Sequence, residues 1–402
     1  MVSATSSSVE NLDFSHLRGK ERKITQIIEK TYHNNTESDY TEKIEQLEKA
    51  FNYSAEKDYY WGSPELSFLY GTPLYEQSSE SQRKVLNHLY WIGQYNLVAA
   101  SETSTILFNQ VTANVFFSLG GFDSLCHELD LETNQERYHI HAFQNIDRIV
   151  QEGIFGSADV NGDQYRKQTL DVLRDGVARY MGSDLTLKFL SINWGSTPFL
   201  ASQYYCARYI ANISLKNKEQ VYSLHCRKLQ KSGAHVPAPT AISRYHLLDE
   251  SFHTTISQLL GKELYKEFAR PSAYEKFLMN TVIYNYQKHG AGSLSGLAPG
   301  APLKDELFMP VLYSVLRSSV FGMSTTEALD WIEKCACSEH KGFHVSLEYV
   351  TRLLNDLRRF FSTIDYLWPV NKEWSIMAEA HSIPKTLKAN RLAFRKFART
   401  VY

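Results

Sequence analysis

The chain has 402 residues, of which 43% are hydrophobic and 13% aromatic, so it can bury a large core in one or two domains. The formal net charge of −1 provides no global field that would attract nucleic acid or an anionic membrane, and no apolar run is long enough to cross a bilayer. Five cysteines without zinc-like spacing are typical of reduced thiols. We therefore expect a cytoplasmic protein with no nucleic-acid or membrane partner.

The N-terminal region is predicted to contain a short tail and a peripheral helix. Residues 1–20 begin with a Ser-rich stretch and are predicted to be a disordered tail, whereas residues 21–402 are predicted to form a single domain. The segment "KERKITQIIEKTYHNNTESDYTEKIEQLEKAF" alternates charged and apolar residues at helical spacing. This pattern predicts helix at the edge of the fold.

Four long helices are predicted next. The first covers about 81–117, which holds no proline and one glycine and is apolar on most sides, so it should be central. The second carries "NQERYHIHAFQNIDRIVQEGIF" and is closed by the turn-rich "GSADVNGDQ". The third follows "NWGSTP" and covers roughly "LASQYYCARYIANISLKNKEQVYSLHCRKLQ". After the loop "KSGAHVPAPT", Thr240 or Ser243 is expected to cap the fourth, which contains "SRYHLLDESFHTT".

The C-terminal part begins with a glycine- and proline-rich stretch at 289–306, the best candidate for an internal linker. The helical patterns after it are amphipathic, so they are predicted to pack onto the same core. Alternating strand patterns are scarce. The sequence therefore predicts an all-α fold, with a bundle core at 80–260 and additional packing helices at 261–402.

Carboxylates and histidines recur at helical spacing within the predicted bundle. Glu102 lies mid-helix in "VAASETSTILF", where an unpaired carboxylate is costly to bury unless it is protonated, paired or coordinated. Two Glu-x-x-His pairs follow in "QERYH" and "DESFH", and spacings of three and four place each set on one helical stripe. Either pair alone is more often a solvated face. Together they predict a site for two metal ions with the ligands Glu102, Glu136, His139, His246, Glu250 and His253.

Residues beside these ligands have predicted supporting or packing roles. Asp249 is expected to accept the second ring N–H of a ligand histidine on a neighbouring helix, which would fix its tautomer. The matching position before Glu136 is Gln135, so this support is predicted to be asymmetric. His141 faces another side of its helix and is more often a core or surface histidine. Tyrosines that flank the ligands are expected to pack.

The order and spacing of these ligands, with "WIGQYNLVAASET" leading into the first, resemble the ferritin-like di-iron arylamine N-oxygenases, of the p-aminobenzoate N-oxygenase type. The resemblance covers roughly residues 80–260, and an additional histidine of that family matches His246. It implies a ferritin-like helical bundle with a carboxylate/histidine dimetal centre and additional peripheral helices. The pattern is also similar to the dimetal-carboxylate halogenases of natural-product biosynthesis, which chlorinate unactivated carbons of carrier-bound fatty acyl chains.

The N-oxygenase pattern has a further glutamate on the third helix, and this chain departs from it. The expected positions hold Ala201, Ser202 and Gln203, and no acidic residue lies between Asp184 and Glu219. In one interpretation Glu219 supplies the ligand from an antiparallel helix pair, although "SLKNKEQVYS" is typical of a helix end or exposed turn. In the other, one metal keeps an open position for a halide, and Ser202 is the candidate residue facing it.

The resemblance implies an oxidoreductase that uses two iron ions, or manganese and iron, together with O2. An open metal position implies halogenation of an aliphatic C–H, with chloride or bromide as co-substrate. The implied partners are a fatty acyl substrate, an acyl carrier protein that holds it, an electron donor and a second subunit in a homodimer. A filled position implies hydroxylation, desaturation or arylamine N-oxygenation instead. A non-catalytic metal-binding bundle and a purely structural protein remain as alternatives from other classes.

Three further segments have open interpretations. The C-terminal "PKTLKANRLAFRKFARTVY" carries six basic residues and no acid. Such a helix could dock the acidic face of a carrier protein, although a solvated terminal helix is more common. The apolar stretches "FLASQYYCARYI" and "ANVFFSLGGF" could line a substrate channel or simply form core.

Overall fold

Helices and the loops between them form the whole of the described chain in this computed structural model. The structure describes residues 19–156, 189, 192–289, 291–301, 303–374 and 382–401, and no strand occurs among them. The predicted all-α class is confirmed. The helices are α1 (Gly19–Glu37), α2 (Thr41–Ala50), α3 (Tyr53–Glu56), α4 (Pro73–Gln77), α5 (Glu80–Leu119), α6 (Asp123–Phe155), α7 (Pro198–Ser232), α8 (Ala238–Lys262), α9 (Ala273–His289), α10 (Met309–Arg317), α11 (Thr325–Cys337), α12 (Lys341–Phe361), α13 (Pro369–Glu373) and α14 (Ile383–Val401), with 3₁₀ turns at Leu264–Glu267 and Asp305–Leu307.

The four long helices α5 to α8 form the bundle that positions the candidate ligands. α5 packs against α6, and α7 packs against α8, as two hairpins. A capping box at Ser79 and Gln82 begins α5, and the turn into α6 uses Gly120 at a φ of 70°, which favours glycine. Thr197 caps α7, and left-handed Gly233 ends it. Turn residues therefore set where each hairpin reverses.

The expected cap of the fourth helix is wrong. α8 begins at Ala238, with proline in its first turn, so Thr240 and Ser243 lie inside the helix. The Thr240 hydroxyl donates to the Trp61 carbonyl at 2.7 Å, and the Ser243 hydroxyl accepts from the Trp91 ring N–H at 2.8 Å. Both hydroxyls therefore bind α8 to neighbouring parts of the protein, and neither caps the N-terminus of the helix.

The N-terminal helices lie closer to the centre than the peripheral helix that the sequence predicts. Two helices form there, and both pack on α6 and α8. The buried Asn35 side chain donates to Glu128 at 3.0 Å, and the Tyr40 backbone N–H donates to Asp249 at 3.3 Å. Most of the predicted tail lies outside the described residues, as does "GSADVNGDQ" beyond its first glycine, whereas residues 19 and 20 belong to α1.

The predicted linker at 289–306 is instead a buried loop where the structure describes it. The Asp305 carboxylate accepts hydrogen bonds from the backbone N–H groups of Gly296 and Leu297, from Ser295 and from Asn390 of α14. All of residues 291–301 are buried. A polar anchor therefore pairs part of this glycine-rich backbone and allows it to lie inside the protein.

The C-terminal helices cover the ends and one side of the bundle. α12 and α9 pack on α7, while α11 packs against α14. Two buried hydrophobic clusters join these elements to the bundle. Among the residues that the structure describes, no helix is both long and apolar enough to cross a membrane.

Candidate metal centre

The six predicted ligands converge in the centre of the bundle. Each residue is at most 5% exposed, and the six come from three helices, α5, α6 and α8. Their donor atoms fall into two groups, within each of which all donors lie within 4.8 Å of one another. The first group is Glu102, His139, His246 and Glu250, and the second is Glu136, Glu250 and His253.

Glu250 belongs to both groups, which is the arrangement that a carboxylate bridging two metal ions requires. Its Oε1 lies 2.8 Å from His253 Nδ1 and 3.9 Å from His246 Nε2. Glu136 lies 3.6 Å from His139 and 3.4 Å from His253, so it also stands between the groups. The two Glu-x-x-His pairs thus face each other across the bundle.

A polar partner holds the outward nitrogen of each histidine. His139 Nε2 lies 3.2 Å from Asp249 Oδ2, as predicted for that aspartate. His253 Nε2 lies 2.9 Å from Gln135 Oε1, so the expected asymmetry is one of charge, because an amide replaces a carboxylate. Such partners fix the ring orientation and the tautomer, and leave the opposite nitrogen to face the centre.

Several inward atoms have no hydrogen-bond partner within the described chain. They are the Oε2 atoms of Glu102 and Glu136 and Nδ1 of His139, and all three are buried. Buried polar atoms without partners are rare in native proteins because desolvation costs free energy. Imidazole nitrogens and carboxylate oxygens are ligands of iron and manganese, so the unpaired atoms fit a pair of such ions.

Local charges hold the histidines of the first group in their protonated form when no metal is bound. Burial and the negative charge of Glu136 raise the pKa of Glu102 to about 7. Burial and the neighbouring His246 lower the pKa of His139, but the hydrogen bond to Asp249 and the nearby carboxylate of Glu136 outweigh both and raise it to about 9. Metal binding would therefore replace protons at this site, as is usual for histidine ligands.

The third helix of the bundle, α7, presents a cation and an amide to the centre rather than a carboxylate. Arg208 donates to Glu132 at 2.5 Å and to Glu136 at 3.2 Å. Burial lowers the pKa of Arg208, but the two glutamates outweigh it and keep the guanidinium charged. The Asn212 side-chain N–H donates to Glu250 Oε2 at 2.7 Å. The group with fewer ligands, around His253, therefore lacks a carboxylate from α7.

Ser202, the predicted halide-facing residue, lies elsewhere. Its hydroxyl donates to the Phe199 carbonyl, and the adjacent Gln203 donates to the Gly261 carbonyl at 3.3 Å. Because α7 and α8 run antiparallel, Ser202 and Gln203 lie beside the end of α8 near Gly261, far from Glu250. Glu250 instead contacts Asn212. Ten residues separate Ser202 from Asn212, or about 15 Å along a helix. Asn212 therefore occupies the place that the sequence analysis assigned to Ser202.

Glu219 fits neither of its two predicted descriptions completely. It was expected near a helix end or exposed turn, yet it is 1% exposed and lies within α7. The expected antiparallel pairing brings its Oε1 to 2.6 Å from His246 Nδ1, and Tyr95 donates to the same oxygen at 2.8 Å. Glu219 thus holds the outer nitrogen of His246, while the inner Nε2 lies 2.9 Å from Glu102.

A cavity of about 190 Å³ opens onto the centre between α5 and α7. Glu102, Glu136 and Glu250 line its inner end. Its wall is mainly apolar and includes Leu97, Val98, Leu215 and Leu303, with Gln94 and the buried Lys218 as polar members. Of the two predicted channel stretches, Arg208 lines this cavity.

Sequence reasoning missed several residues that surround the centre. Arg208 is a charged residue within the apolar stretch "YYCARYIANI". A charged residue within an apolar helical stretch was also the signal that pointed to Glu102. Glu132 precedes Glu136 by four residues and extends the same helical stripe. Asn212 follows Arg208 by four, but an asparagine in a helix carries no comparable signal. His141, for which a core and a surface position were both open, has a 71% exposed side chain and is the surface histidine of these two alternatives.

Comparison with known proteins gives one clear result. The model of a family described as "Acyl halogenase CylC-like" matches residues 23–172 and 159–398. The matched segments cover most of the chain and include all of the candidate ligands. No curated protein and no solved structure gives a significant match.

Proposed function

The chain belongs to the CylC-like acyl halogenase family, and from this premise we propose that it is a dioxygen-dependent dimetal enzyme that chlorinates an unactivated aliphatic carbon of a fatty acyl chain. Family membership indicates an enzyme that halogenates an aliphatic acyl substrate. The metals, dioxygen and the carrier-bound form of the substrate are the additions that we propose. The family match favours halogenation over arylamine N-oxygenation, the other activity that the ligand pattern resembles.

One observation supports the proposal most strongly: the ligands converge in two groups that share Glu250, and α7 places Asn212 and Arg208 beside the group with fewer ligands. The candidate carboxylate ligands lie on α5, α6 and α8, and the part of α7 around Arg208 and Asn212 contributes no carboxylate to the centre. The side chains there are hydrogen-bond donors, which suit an anion such as chloride.

The overall reaction balances with an external source of two electrons. A substrate C–H bond is broken and a C–Cl bond forms from chloride, which releases two electrons and one proton. Dioxygen accepts these two electrons and two more from the donor, and with the substrate proton and three protons from solvent it yields two water molecules. Two redox-active ions, iron with iron or manganese with iron, would supply the coordination sites and electron transfer for this chemistry.

The chain's own residues position the reactants. The apolar wall formed by Leu97, Val98, Leu215 and Leu303 would hold the acyl chain and exclude water near the centre. Asp249 and Glu219 keep the ligand nitrogens of their histidines facing inward. Arg208 and Asn212 keep the open position free of a protein carboxylate.

The experiment that tests the open position is Asn212→Glu in the metal-loaded enzyme. A glutamate there would supply the missing carboxylate ligand, so we expect the chlorinated product to fall at least tenfold, by loss of halide binding, and hydroxylated product to increase. Mass spectrometry of the acyl product with and without chloride measures the ratio. Metal content, measured by plasma mass spectrometry, should not decrease.

Gln230→Glu, at an exposed position of the same helix, is the matched control and should leave the product ratio unchanged. Unchanged chlorination in Asn212→Glu would show that the halide does not bind beside Asn212. Chloride-independent hydroxylation by the unaltered protein would overturn halogenation itself. Bromide soaked into crystals offers a direct view, because anomalous scattering at the centre would locate the halide.

Glu219→Ala separates the two interpretations of that residue. We expect both metal ions to remain, with lower affinity, because Glu219 contacts the outer nitrogen of His246 rather than the centre. Loss of about one metal ion per chain would show that Glu219 is itself a ligand and that no position is open.

A carrier-bound substrate is supported by the position of α14. Its six basic residues are exposed, and the helix contacts the loop that lines the cavity, because Asn390 binds Asp305 two residues after Leu303. Lys388→Glu with Arg395→Glu should raise KM for a carrier-bound acyl substrate at low salt, with kcat unchanged. Lys57→Glu, exposed at the end of α3, is the control. An unchanged KM would contradict docking on α14.

A further inference from the structure

A second cavity, of about 530 Å³, lies between α7, α8 and α12. Its volume falls within the range of small-molecule sites in proteins. The family match and the metal centre assign it no role. Its lining combines cations, amides and an aromatic pair: Lys216, Lys262, Arg352, Arg359, Asn217, Gln220, Gln258, Tyr209 and Phe360, with Ile213 and Asp356.

This second cavity is separate from the metal centre. The cavity at the centre is lined by α7 residues 208, 211, 212, 214, 215 and 218, whereas the second cavity is lined by residues 209, 213, 216, 217 and 220. At 3.6 residues per turn, the two sets have centres roughly 160° apart around the helix. A ligand in the second cavity would therefore bind without reaching the metals.

The charge of the lining is strongly unbalanced. Four cations face one acidic residue, Asp356, which pairs with Arg359 at 3.7 Å. Lys216 and Lys262 form no ion pair with any residue in the described ranges, although both are half-buried. The two arginines are exposed at the rim, but like charges gathered around one concave site still repel each other, so this arrangement favours a negatively charged ligand.

A buried amide provides an independent observation. Asn217 is 7% exposed and lines the cavity, and its Nδ2 finds no hydrogen-bond partner among the described residues. An unpaired buried N–H group costs free energy unless a ligand or an ordered solvent molecule accepts its hydrogen bond. A 180° turn of the amide would bring this N–H group to the cavity side, where the surrounding cations favour an anion as its acceptor.

An aromatic pair, largely buried, adds an apolar part to the lining of this cationic site. Tyr209 and Phe360 stack with ring centroids 4.0 Å apart, and Gln258 donates to the Tyr209 hydroxyl at 3.1 Å. A phosphate group alone would fill a small part of 530 Å³. The remaining space and the aromatic edges in the lining fit the organic part of a larger molecule.

We propose that this cavity binds the phosphate group of a small organic phosphate. The phosphate would accept hydrogen bonds from Asn217 and from the lysine and arginine side chains, because guanidinium and ammonium groups form short, charge-assisted bonds to phosphate oxygens. The organic part would lie against Tyr209. The proposal does not depend on halogenation, and its failure would leave the proposed function unaffected.

Isothermal titration calorimetry of the metal-loaded protein tests the proposal with three probes: inorganic phosphate, adenosine 5′-monophosphate and adenosine. We expect the two phosphates to bind with an affinity that falls as salt rises, and adenosine to bind at least tenfold more weakly than its phosphate. Tighter binding of the monophosphate than of inorganic phosphate identifies an organic ligand, and equal binding identifies free phosphate. Absence of phosphate binding, or equal binding of adenosine, overturns the proposal.

Two variants connect that binding to the cavity. Arg352→Gln should weaken phosphate binding about tenfold, while Arg227→Gln, exposed on α7 outside the cavity, should not change it. Asn217→Asp places a carboxylate among the cations, so it should abolish phosphate binding and raise the melting temperature of the ligand-free protein. Equal effects of the two arginine variants, or a lower melting temperature with unchanged binding in Asn217→Asp, would locate the phosphate elsewhere.

Discussion

His88 and His246 are both fully buried, yet their ring nitrogens meet opposite kinds of partner. His88 lies 2.8 Å from the Tyr59 carbonyl and 3.2 Å from the Tyr53 hydroxyl, and it stacks on Trp61. His246 lies between two carboxylates, at 2.6 and 2.9 Å. Neutral partners satisfy His88 completely, whereas the centre around His246 contains unpaired atoms.

The electrostatic consequences of the two environments differ in sign. Burial lowers the pKa of His88 to about 4, so the ring is neutral. Burial also acts to lower the pKa of His246, but the adjacent carboxylates outweigh it and raise that pKa well above its usual range. Burial alone therefore does not distinguish a structural histidine from a metal ligand. The hydrogen-bond partners of the two ring nitrogens distinguish these two kinds of histidine.

The largest effect is expected where one change affects both metal positions. Glu250→Ala removes the carboxylate shared by the two groups, so we expect loss of both metals and of halogenation. His88→Phe, at a buried histidine with neutral partners, should keep both metals. Metal analysis of the two purified variants makes the comparison, and full metal retention in Glu250→Ala would disprove the shared ligand.

A smaller effect is expected for the residue that orients a ligand. Asp249→Asn keeps an acceptor for Tyr40 but removes the charge facing His139, which makes this side resemble the Gln135 side. We expect metal affinity to fall roughly 10- to 100-fold, as is typical when such partners are changed. Competition with a chelator of known affinity measures it, and an unchanged affinity would contradict an orienting role.

The structural histidine should affect stability without affecting metal. His88→Phe retains an aromatic ring against Trp61 but leaves the Tyr59 carbonyl and the Tyr53 hydroxyl unpaired. We expect the free energy of unfolding to fall by about 1–3 kcal/mol. Urea denaturation measures this loss, and a stability equal to that of the unaltered protein would show that the two hydrogen bonds contribute little.

The smallest effect concerns acid stability. The pKa of His88 is about 4 in the folded protein and near 6.5 when unfolded, so between these values the unfolded chain binds the extra proton. Stability from this group is present above pH 6.5 and is lost as the pH falls towards 4. Between pH 7.5 and 5.5 we expect the stability difference between the protein and His88→Phe to narrow by about 1 kcal/mol. Parallel curves at both pH values would refute this linkage.

The predictable part of the site is the part set by spacing within single helices. Glu136 with His139, and His246 with Glu250 and His253, lie on one stripe because helical geometry places residues three and four apart together. The boundaries of the first and third long helices were likewise close to their predicted positions, since capping residues and glycines mark them. Asp249 could be assigned to a neighbouring histidine for the same geometric reason.

The wrong predictions concern which residues of neighbouring helices meet and which residues are buried. Ser202 was placed beside the metals, but the register of the α7–α8 hairpin brings Asn212 there instead. Glu219 was judged exposed from its polar neighbours, yet it is buried because Tyr95 and His246 both bind it. The glycine-rich stretch was judged a linker, although the Asp305 carboxylate satisfies its backbone inside the protein.

The sequence by itself determined the helical class, the six candidate ligands and their order along the chain, because these depend on local periodicity and on residue chemistry. Only the tertiary structure decided that Glu250 is shared, that Gln135 and Glu219 hold ligand histidines, and that Asn212 faces the centre. These features depend on how far one helix slides along another. Side-chain packing summed over whole helices sets that register, and no short stretch of sequence encodes it.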